Sequence, residues 1–461
     1  MASMKSQTLI LAGAGLLMGT ARGATAQADR ARVVTAVDSI AQAALGGGHA
    51  AGLSIAVVRG GDTLVLRGYG KASLELSVPT PDRAVYEIGS VTKQFTSAAI
   101  LQLADEHKLS LDDDLTKYFP TYPMHGHRVT IRRLMDHTSG IHGYTEMPAF
   151  GRLMARSLPK DSLVAMFSGQ PFDFAPGDAM SYSNSAYFLL GLIIEKVSGQ
   201  TYAHYLAQHE FQPAGMRDTR YCSNSDVIQN RVSGYDVVGD TIRPAQYIDM
   251  IWPYSAGALC STVGDLVAWV RALHTGRMLS PSAYHEMITP AALNDGAVIR
   301  YAKGLAIDSL DGHRRISHGG GIPGFLSTVQ YFPDDSLIVV VLVNSAGPVS
   351  PESIARSIVD LALGARPPSA AVFKGQLADY AGAYSGMARG GRRTVSVVLD
   401  SAGHALVYRP ANGESHPLEY LGGDTFGFDE ARLKFVRTAS HVRSLVVDEV
   451  YGYNFYGKSV K

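Results

Sequence analysis

Two serine–lysine pairs in this 461-residue chain could supply a nucleophile, Ser90-Val91-Thr92-Lys93 and Ser157-Leu158-Pro159-Lys160. A hydroxyl does not ionise near neutrality, so it needs an adjacent base, and an amine whose charge burial suppresses can be that base. Residues three apart share one face of a helix, which brings such a hydroxyl and amine together. A chain of this composition should hold about one Ser-x-x-Lys by chance. Pro159 obstructs a regular helix through the second pair, and no strong apolar periodicity follows it, so that pair reads as a decoy. Ser90 follows Gly89 and opens the best helix pattern in the chain. The N-terminus of that helix favours developing negative charge.

Two further stretches offer partners. Tyr182-Ser183-Asn184 precedes an apolar helix pattern. A phenol can relay a proton between a serine and a leaving group, and an amide two residues on points to the same side of extended backbone. In that position Asn184 can hold both a lysine and a substrate carbonyl; read alone, it is also an ordinary helix N-cap. His318-Gly319-Gly320 precedes an extended segment where glycines allow close approach to the backbone. Its rival, His274-Thr275-Gly276, reads as a helix end with a glycine cap.

Other chemistries lack their signatures. The sequence has no G-x-S-x-G elbow, Walker A loop or H-E-x-x-H, so His318-Gly319-Gly320-Gly321 has no lipase nucleophile to serve. His125-Gly126-His127 reads as polar loop surface rather than the start of a metal site. No metal and no cofactor is expected.

The elements that must position these residues follow from periodicity and turn signals. Gly52 to Val58 and Thr63 to Gly68 read as a hairpin, and Val91 to Glu106 as a helix. The middle, from about Leu109 to Pro290, is mainly helical, with one helix after Asn184 and another capped near Ser261/Thr262. Strand candidates Arg314 to His318, Phe325 to Phe332 and Leu337 to Asn344 come next, then a helix from Pro351 to Leu363. This order predicts an α+β fold: an antiparallel sheet with strands from both ends, flanking helices and an all-helical insert. Arg366 to Ala371 reads as a linker, and short alternating segments beyond it as a small all-β unit.

Composition narrows the class. The 41 basic and 41 acidic residues cancel, so nothing suggests nucleic acid as a partner. Hydrophobic residues at 46% and charged residues at 18% indicate a folded chain rather than a disordered one. Met1 to Ala26 reads as a signal peptide. Lys5 is its basic start, Thr8 to Gly19 its apolar stretch, and Ala24-Thr25-Ala26 its cleavage site, which implies a periplasmic or secreted protein. Its removal leaves a net charge of about −2 and no later run long enough for a membrane anchor. In an oxidising compartment Cys222 and Cys260 form either one disulfide or two buried thiols.

The order Ser-x-x-Lys, Tyr-x-Asn, His-x-Gly resembles the serine β-lactamase and penicillin-binding-protein superfamily, nearest its class C-like branch of DD-peptidases, D-aminopeptidases and esterases. The likeness runs from about Arg30 to Gly364. It includes Tyr86-Glu87-Ile88-Gly89-Ser90, Leu134-Met135-Asp136-His137-Thr138-Ser139-Gly140, Phe211-Gln212-Pro213-Ala214-Gly215-Met216 and His318 to Phe325. The resemblance implies a β-lactamase/transpeptidase-like domain over 27–366 and a lipocalin-like β-domain over 367–461. By the same likeness Ser90 is the nucleophile, Lys93 its base and Tyr182 a second acid/base. Asn184 holds Lys93 and the substrate, and Gly320 and Gly321 lie on the oxyanion side, with Ser90 and Gly321 N–H as its donors. His137 is structural. His318 stands where many relatives carry a permanent lysine, so a group with a reference pKa of about 6.5 replaces a fixed cation. That weakens the case for an efficient β-lactamase or a D-Ala-D-Ala carboxypeptidase and leaves room for esters, amides or peptides with no terminal carboxylate.

The implied function is acyl transfer through a Ser90 acyl-enzyme on a β-lactam, a D-amino-acid peptide or another amide, with a carboxylesterase of the same fold as the alternative. A non-catalytic protein that captures peptidoglycan-like ligands is the reading from another class, and a lipid-binding or scaffold role for the tail is a third.

Overall fold

The run Leu337–Val343 (LIVVVLV) is apolar at every position and wholly buried, which requires a strand covered on both faces. In the computed structural model, which describes residues 30–364, 373–410, 413–429, 431–438, 441–449 and 451–459, it is a central strand. It pairs antiparallel with Gly52–Arg59 on one side and Phe325–Phe332 on the other. Its alternate residues divide between two cores. Leu337, Val339, Val341 and Val343 pack with Val33 and Val37 of a helix over 30–46 and with Ile354, Ile358 and Val359 of the helix Pro351–Leu363. Ile338, Val340 and Leu342 face a larger core that includes Phe95, Leu266 and Trp269. The seven-stranded sheet runs Ala306–Leu310, His313–Ile322, Phe325–Phe332, Leu337–Val343, Gly52–Arg59, Asp62–Ser73, Val78–Pro79. Its strands come from both ends of the 52–343 stretch, as the order of elements predicts.

The segment between the two strand groups holds the helices Thr92–Asp105, Asn184–Ser198 and Val263–His274. It is mostly helical and also carries short strand pairings that an all-helical insert leaves out. Tyr235–Val238 and Thr241–Pro244 form a hairpin through the turn at Gly239, and Leu259–Ser261 joins Tyr86–Glu87 to Arg220–Tyr221. These strands have two to four residues, too few to register as an alternating pattern.

Most of the remaining chain forms a nearly closed, barrel-like sheet of ten strands. Nine come from the stretch between Gly382 and Lys458, and the tenth is Met180–Ser181 of the insert, which pairs with Gly452 and Tyr453. The hairpin Gly382–Ala388/Gly391–Leu399 turns through Arg389 and Gly390. The expected signal peptide and the 366–371 linker lie outside the described residues.

Cys260, on the strand Leu259–Ser261, and Cys222, one residue past the strand Arg220–Tyr221 that pairs with it, are both buried free thiols. The contact with the Cys260 thiol, and burial after it, push the Cys222 thiol up.

Candidate functional site

Ser90 lies in a tight turn, Gly89–Val91, that leads directly into the helix Thr92–Asp105. Gly89 has a left-handed backbone, φ 50°, which glycine adopts without a side-chain clash. A Cβ there would lie 2.8 Å from Gly321 N and 3.0 Å from Gly321 O, so the serine turn and the glycine strand touch backbone to backbone. Gly320 is under the same constraint, since its Cβ would meet Ile88 O at 2.1 Å and Ser90 N at 3.0 Å. The close approach that the glycines allow is thus first of all that of the protein's own Ser90 turn.

One helical turn on, Lys93 is fully buried, and its Nζ lies 3.0 Å from Ser90 Oγ. It donates to Asn184 Oδ1 and to the Ala256 carbonyl, each at 2.8 Å. Burial, reinforced by the positive charge of Arg389, drives the Lys93 pKa well below that of an ordinary lysine. The neutral amine has two N–H donors and one lone pair. Two carbonyl acceptors take the donors, and the lone pair is left toward Ser90.

The helix Asn184–Ser198 is capped by Ser183, whose Oγ accepts the Ala186 N–H, and it ends at Gly199 in left-handed conformation. Because Ser183 takes the N-cap, the Asn184 amide is released for Lys93. Tyr182 sits just before, held on both sides by His137: Ser181 N–H donates to the His137 carbonyl and Ser183 N–H to His137 Nδ1. The His137 ring also packs on Tyr182 at 4.2 Å, which gives it a structural place. The Tyr182 hydroxyl is buried, close enough to Ser90 to interact with it, and makes no well-aligned hydrogen bond within the described residues. Burial holds this phenol well above the ordinary tyrosine value and so favours the uncharged form of Tyr182, as it does that of Lys93.

His318 departs from its expected catalytic place. It is buried and does not line the cleft. The Tyr301 hydroxyl donates to its Nε2 at 2.9 Å, and its Nδ1–H donates to the Gly319 carbonyl at 2.6 Å. Both ring nitrogens are used, so neither is left for a substrate. Burial, and the positive charge Lys93 would carry second, bring the imidazole pKa down to about 3. Histidine here is a neutral support for the glycine strand rather than a titrating stand-in for a cation.

On that strand Gly319 N–H points away from the neighbouring strand and donates to the Tyr451 hydroxyl at 2.9 Å. Antiparallel backbone groups alternate between the two edges of a strand, so Gly321 N–H faces the same free edge, beside Ser90. Ser90 and Gly321 thereby border the same cavity, with the Gly321 N–H on the strand's unpaired edge.

Two cavities meet at Ser90. One, of about 230 Å³, is lined by Tyr144, Phe150, Ile248, Pro253, Ile322 and Pro323 besides the serine turn. The other, of about 340 Å³, is bounded by Tyr182, Gly319, Gly320, Leu326, Glu352 and Tyr451. Arg389 lines both.

Arg389, Tyr451, Tyr301 and the Ala256 carbonyl belong to the site and are missing from the sequence-derived set. No local pattern marks Arg389 or Tyr451, since both reach the cleft from the C-terminal sheet. The decoy pair stays apart from the site: Lys160 binds Glu195 at 2.8 Å and Tyr254 at 3.0 Å. His125 and His127 pack on Phe172, and no cluster of three metal-ligating side chains occurs among the described residues.

A family model described as Beta-lactamase matches residues 37–363. Among curated proteins, Protein flp of Staphylococcus aureus (strain MRSA252) is 28% identical over 318 residues, covering 67% of this chain and 62% of the relative, so the chain spans about three-fifths of that relative's length. Among solved structures, the octameric penicillin-binding protein homologue from Pyrococcus abyssi is 25% identical with a TM-score of 0.65, covering 92% of this chain and 99% of that one. A D-stereospecific amidohydrolase from Streptomyces sp. is 26% identical with a TM-score of 0.61, covering 71% of this chain and 98% of the other.

Proposed function

The chain belongs to the Beta-lactamase family, and from that premise we propose that it is an exported serine hydrolase. It transfers an acyl group from an amide, a β-lactam or a D-amino-acid peptide to water by way of a Ser90 ester. The observation that carries this reading is the position of Lys93, a buried amine 2.8 Å from two carbonyl oxygens and 3.0 Å from Ser90 Oγ, so that its neutral form can turn a lone pair toward that hydroxyl.

The Ser90 hydroxyl passes its proton to Lys93 as Oγ bonds to the substrate carbonyl carbon. The carbonyl oxygen becomes an anion between Ser90 N–H and Gly321 N–H, fixed donors that need no rearrangement when the charge appears. As the intermediate collapses, the carbon–nitrogen bond breaks and Tyr182 gives its phenolic proton to the leaving nitrogen, to be reprotonated from the Lys93 ammonium. Water then attacks the ester by the same route, with Lys93 again as base. Tyr182 lines the cavity that also holds Gly319 and Tyr451, so the leaving group is assigned to that side and the acyl group to the other cavity.

The Streptomyces amidohydrolase supports the amide side of this reading, and an ester substrate remains the alternative within the same chemistry. The basic, apolar and small-residue order of Met1 to Ala26 supports export. No helix among the described residues is long and apolar enough to cross a membrane.

The test is steady-state hydrolysis of a chromogenic cephalosporin and a short-chain nitrophenyl ester by wild type and Ser90→Ala. Loss of both activities in the variant is expected, and the faster substrate assigns the amide or the ester side. Wild-type rates no higher than those of Ser90→Ala on either substrate, and on D-amino-acid peptides, would sink the hydrolase reading and favour a binding protein.

A further inference from the structure

The resemblance leads one to look for a fixed cation at the glycine strand, where a neutral His318 stands instead. Among the described residues, those lining the two cavities include one arginine and no lysine, and the arginine comes from the far end of the chain. We propose that Arg389 is a specificity-determining residue that binds a carboxylate, or a similar small anionic group, on the leaving-group side of the scissile bond. This inference rests on the hydrolase reading above.

Arg389 sits in the two-residue turn of the hairpin Gly382–Ala388/Gly391–Leu399. Its Nε and Nη2 both engage Glu146 at 2.7 Å, which fixes the guanidinium and offsets part of its charge. Its Nη1 makes no hydrogen bond within the described residues. The guanidinium carbon stands 5.5 Å from the Tyr182 ring centroid, next to the group that would protonate the leaving atom. A planar fork with one edge anchored and a donor free on the other suits a carboxylate better than a flexible ammonium would.

The Gly319 N–H, which an extended leaving segment would use for strand-like pairing, is already taken by Tyr451. The subsite therefore fits a short leaving group whose negative charge reaches Arg389.

The experiment compares two esters that differ only in the charge of the leaving group, 3-carboxyphenyl phenylacetate and 3-carbamoylphenyl phenylacetate, on the full-length chain. The readout is the ratio of their kcat/KM values, which cancels any common loss of folding or of Lys93 reactivity. With Arg389→Gln the ratio of carboxylate to carbamoyl ester is expected to fall about tenfold, the scale of one charge-assisted hydrogen bond at a partly exposed site. Arg389→Lys is expected to fall between wild type and Arg389→Gln. A ratio unchanged by Arg389→Gln, or any other order of the three proteins, overturns the assignment. Ser90→Ala separates the two levels of the argument. If it hydrolyses both esters as fast as wild type, the hydrolase reading fails and this inference with it. If Ser90 is required and the ratio does not move, only the role of Arg389 fails.

Discussion

Gly89→Ala tests whether contact between the serine turn and the glycine strand creates the oxyanion site. The added methyl has two consequences of different size. Holding alanine at φ 50° costs roughly 1–2 kcal/mol of backbone energy, which should lower the thermal midpoint by no more than about 2–4 °C per kcal/mol, the scale for domains of about 150–250 residues and an upper bound for a larger unit. The Cβ would also stand 2.8 Å from Gly321 N, 3.1 Å from Gly321 C and 3.0 Å from Gly321 O. Carbon contacts settle at about 3.5 Å or more, so Gly321 has to retreat by roughly half an ångström. Donors to an oxyanion work at about 2.7–3.1 Å, and losing one costs about 10²–10³ in kcat. The expected result is therefore a kcat lower by about 10²-fold, with KM little changed, in a protein that remains folded. Kinetics on the faster of the two chromogenic substrates, with circular dichroism for folding, provide the assay. Gly151→Ala is the control, because that glycine is exposed and its Cβ would meet nothing within 4 Å. A folded Gly89→Ala enzyme with kcat within about threefold of wild type would remove Gly321 N–H from the mechanism.

Lys93 works as a base only when neutral, so kcat/KM should decline as pH falls through its depressed pKa, and this acid limb should lie well below the ordinary lysine value. The Arg389 charge is a secondary cause of that depression, so Arg389→Gln should move the limb to higher pH; a limb that stays or moves down refutes the electrostatic link. His318, neutral down to about pH 3, should add no limb near pH 6.5, and a pH–rate profile with a His318-dependent limb there would show its burial to be overstated. Glu210 is buried with both carboxylate oxygens unpartnered among the described residues, and burial raises its pKa well above the usual value. The folded state keeps this proton while the unfolded chain loses it above about pH 4.5, so the group costs stability as pH rises. Glu210→Gln should therefore raise the thermal midpoint more at pH 8 than at pH 5, and equal midpoints at both would contradict the assignment.

What could be read from the sequence divides along the range of the interactions involved. Ser90 and Lys93 are one helical turn apart, and Tyr182 and Asn184 flank a single cap residue, so local geometry alone puts each pair on one side. The central strand Leu337–Val343 and the helix Asn184–Ser198 were legible because burial on all sides demands a continuous apolar run. The strand through His318 was placed to end at that residue and in fact continues to Ile322. Three glycines carry no β-propensity, and the extended backbone there is imposed by pairing with Phe325–Phe332. His318 was legible as a site residue but not in its protonation, because the desolvation that neutralises it, and the Tyr301 hydroxyl that uses its Nε2, come from the tertiary packing. Arg389 and Tyr451 had no local signal at all.

The same long-range contacts bear on how the two halves of the chain cooperate. Met180–Ser181, the residues immediately before Tyr182, have their strand partner at Gly452 and Tyr453. Met180, Tyr182 and Tyr301 share a buried apolar cluster with Val446 and Tyr453 of the C-terminal sheet. Tyr451 caps Gly319, and the Arg389 hairpin is clasped by Glu146. Each contact reaches a different part of the proposed machinery: Tyr182 as proton donor, the support of His318, the glycine strand and the charge beside Lys93. A β unit that served only to bind something elsewhere would have no physical reason to converge on all four. The site is built by two parts of the chain. On the proposed mechanism the first supplies nucleophile, base and oxyanion donors, from short-range sequence signals. The second fixes the proton donor and supplies the positive charge through contacts that exist only once the C-terminal sheet has folded against the first.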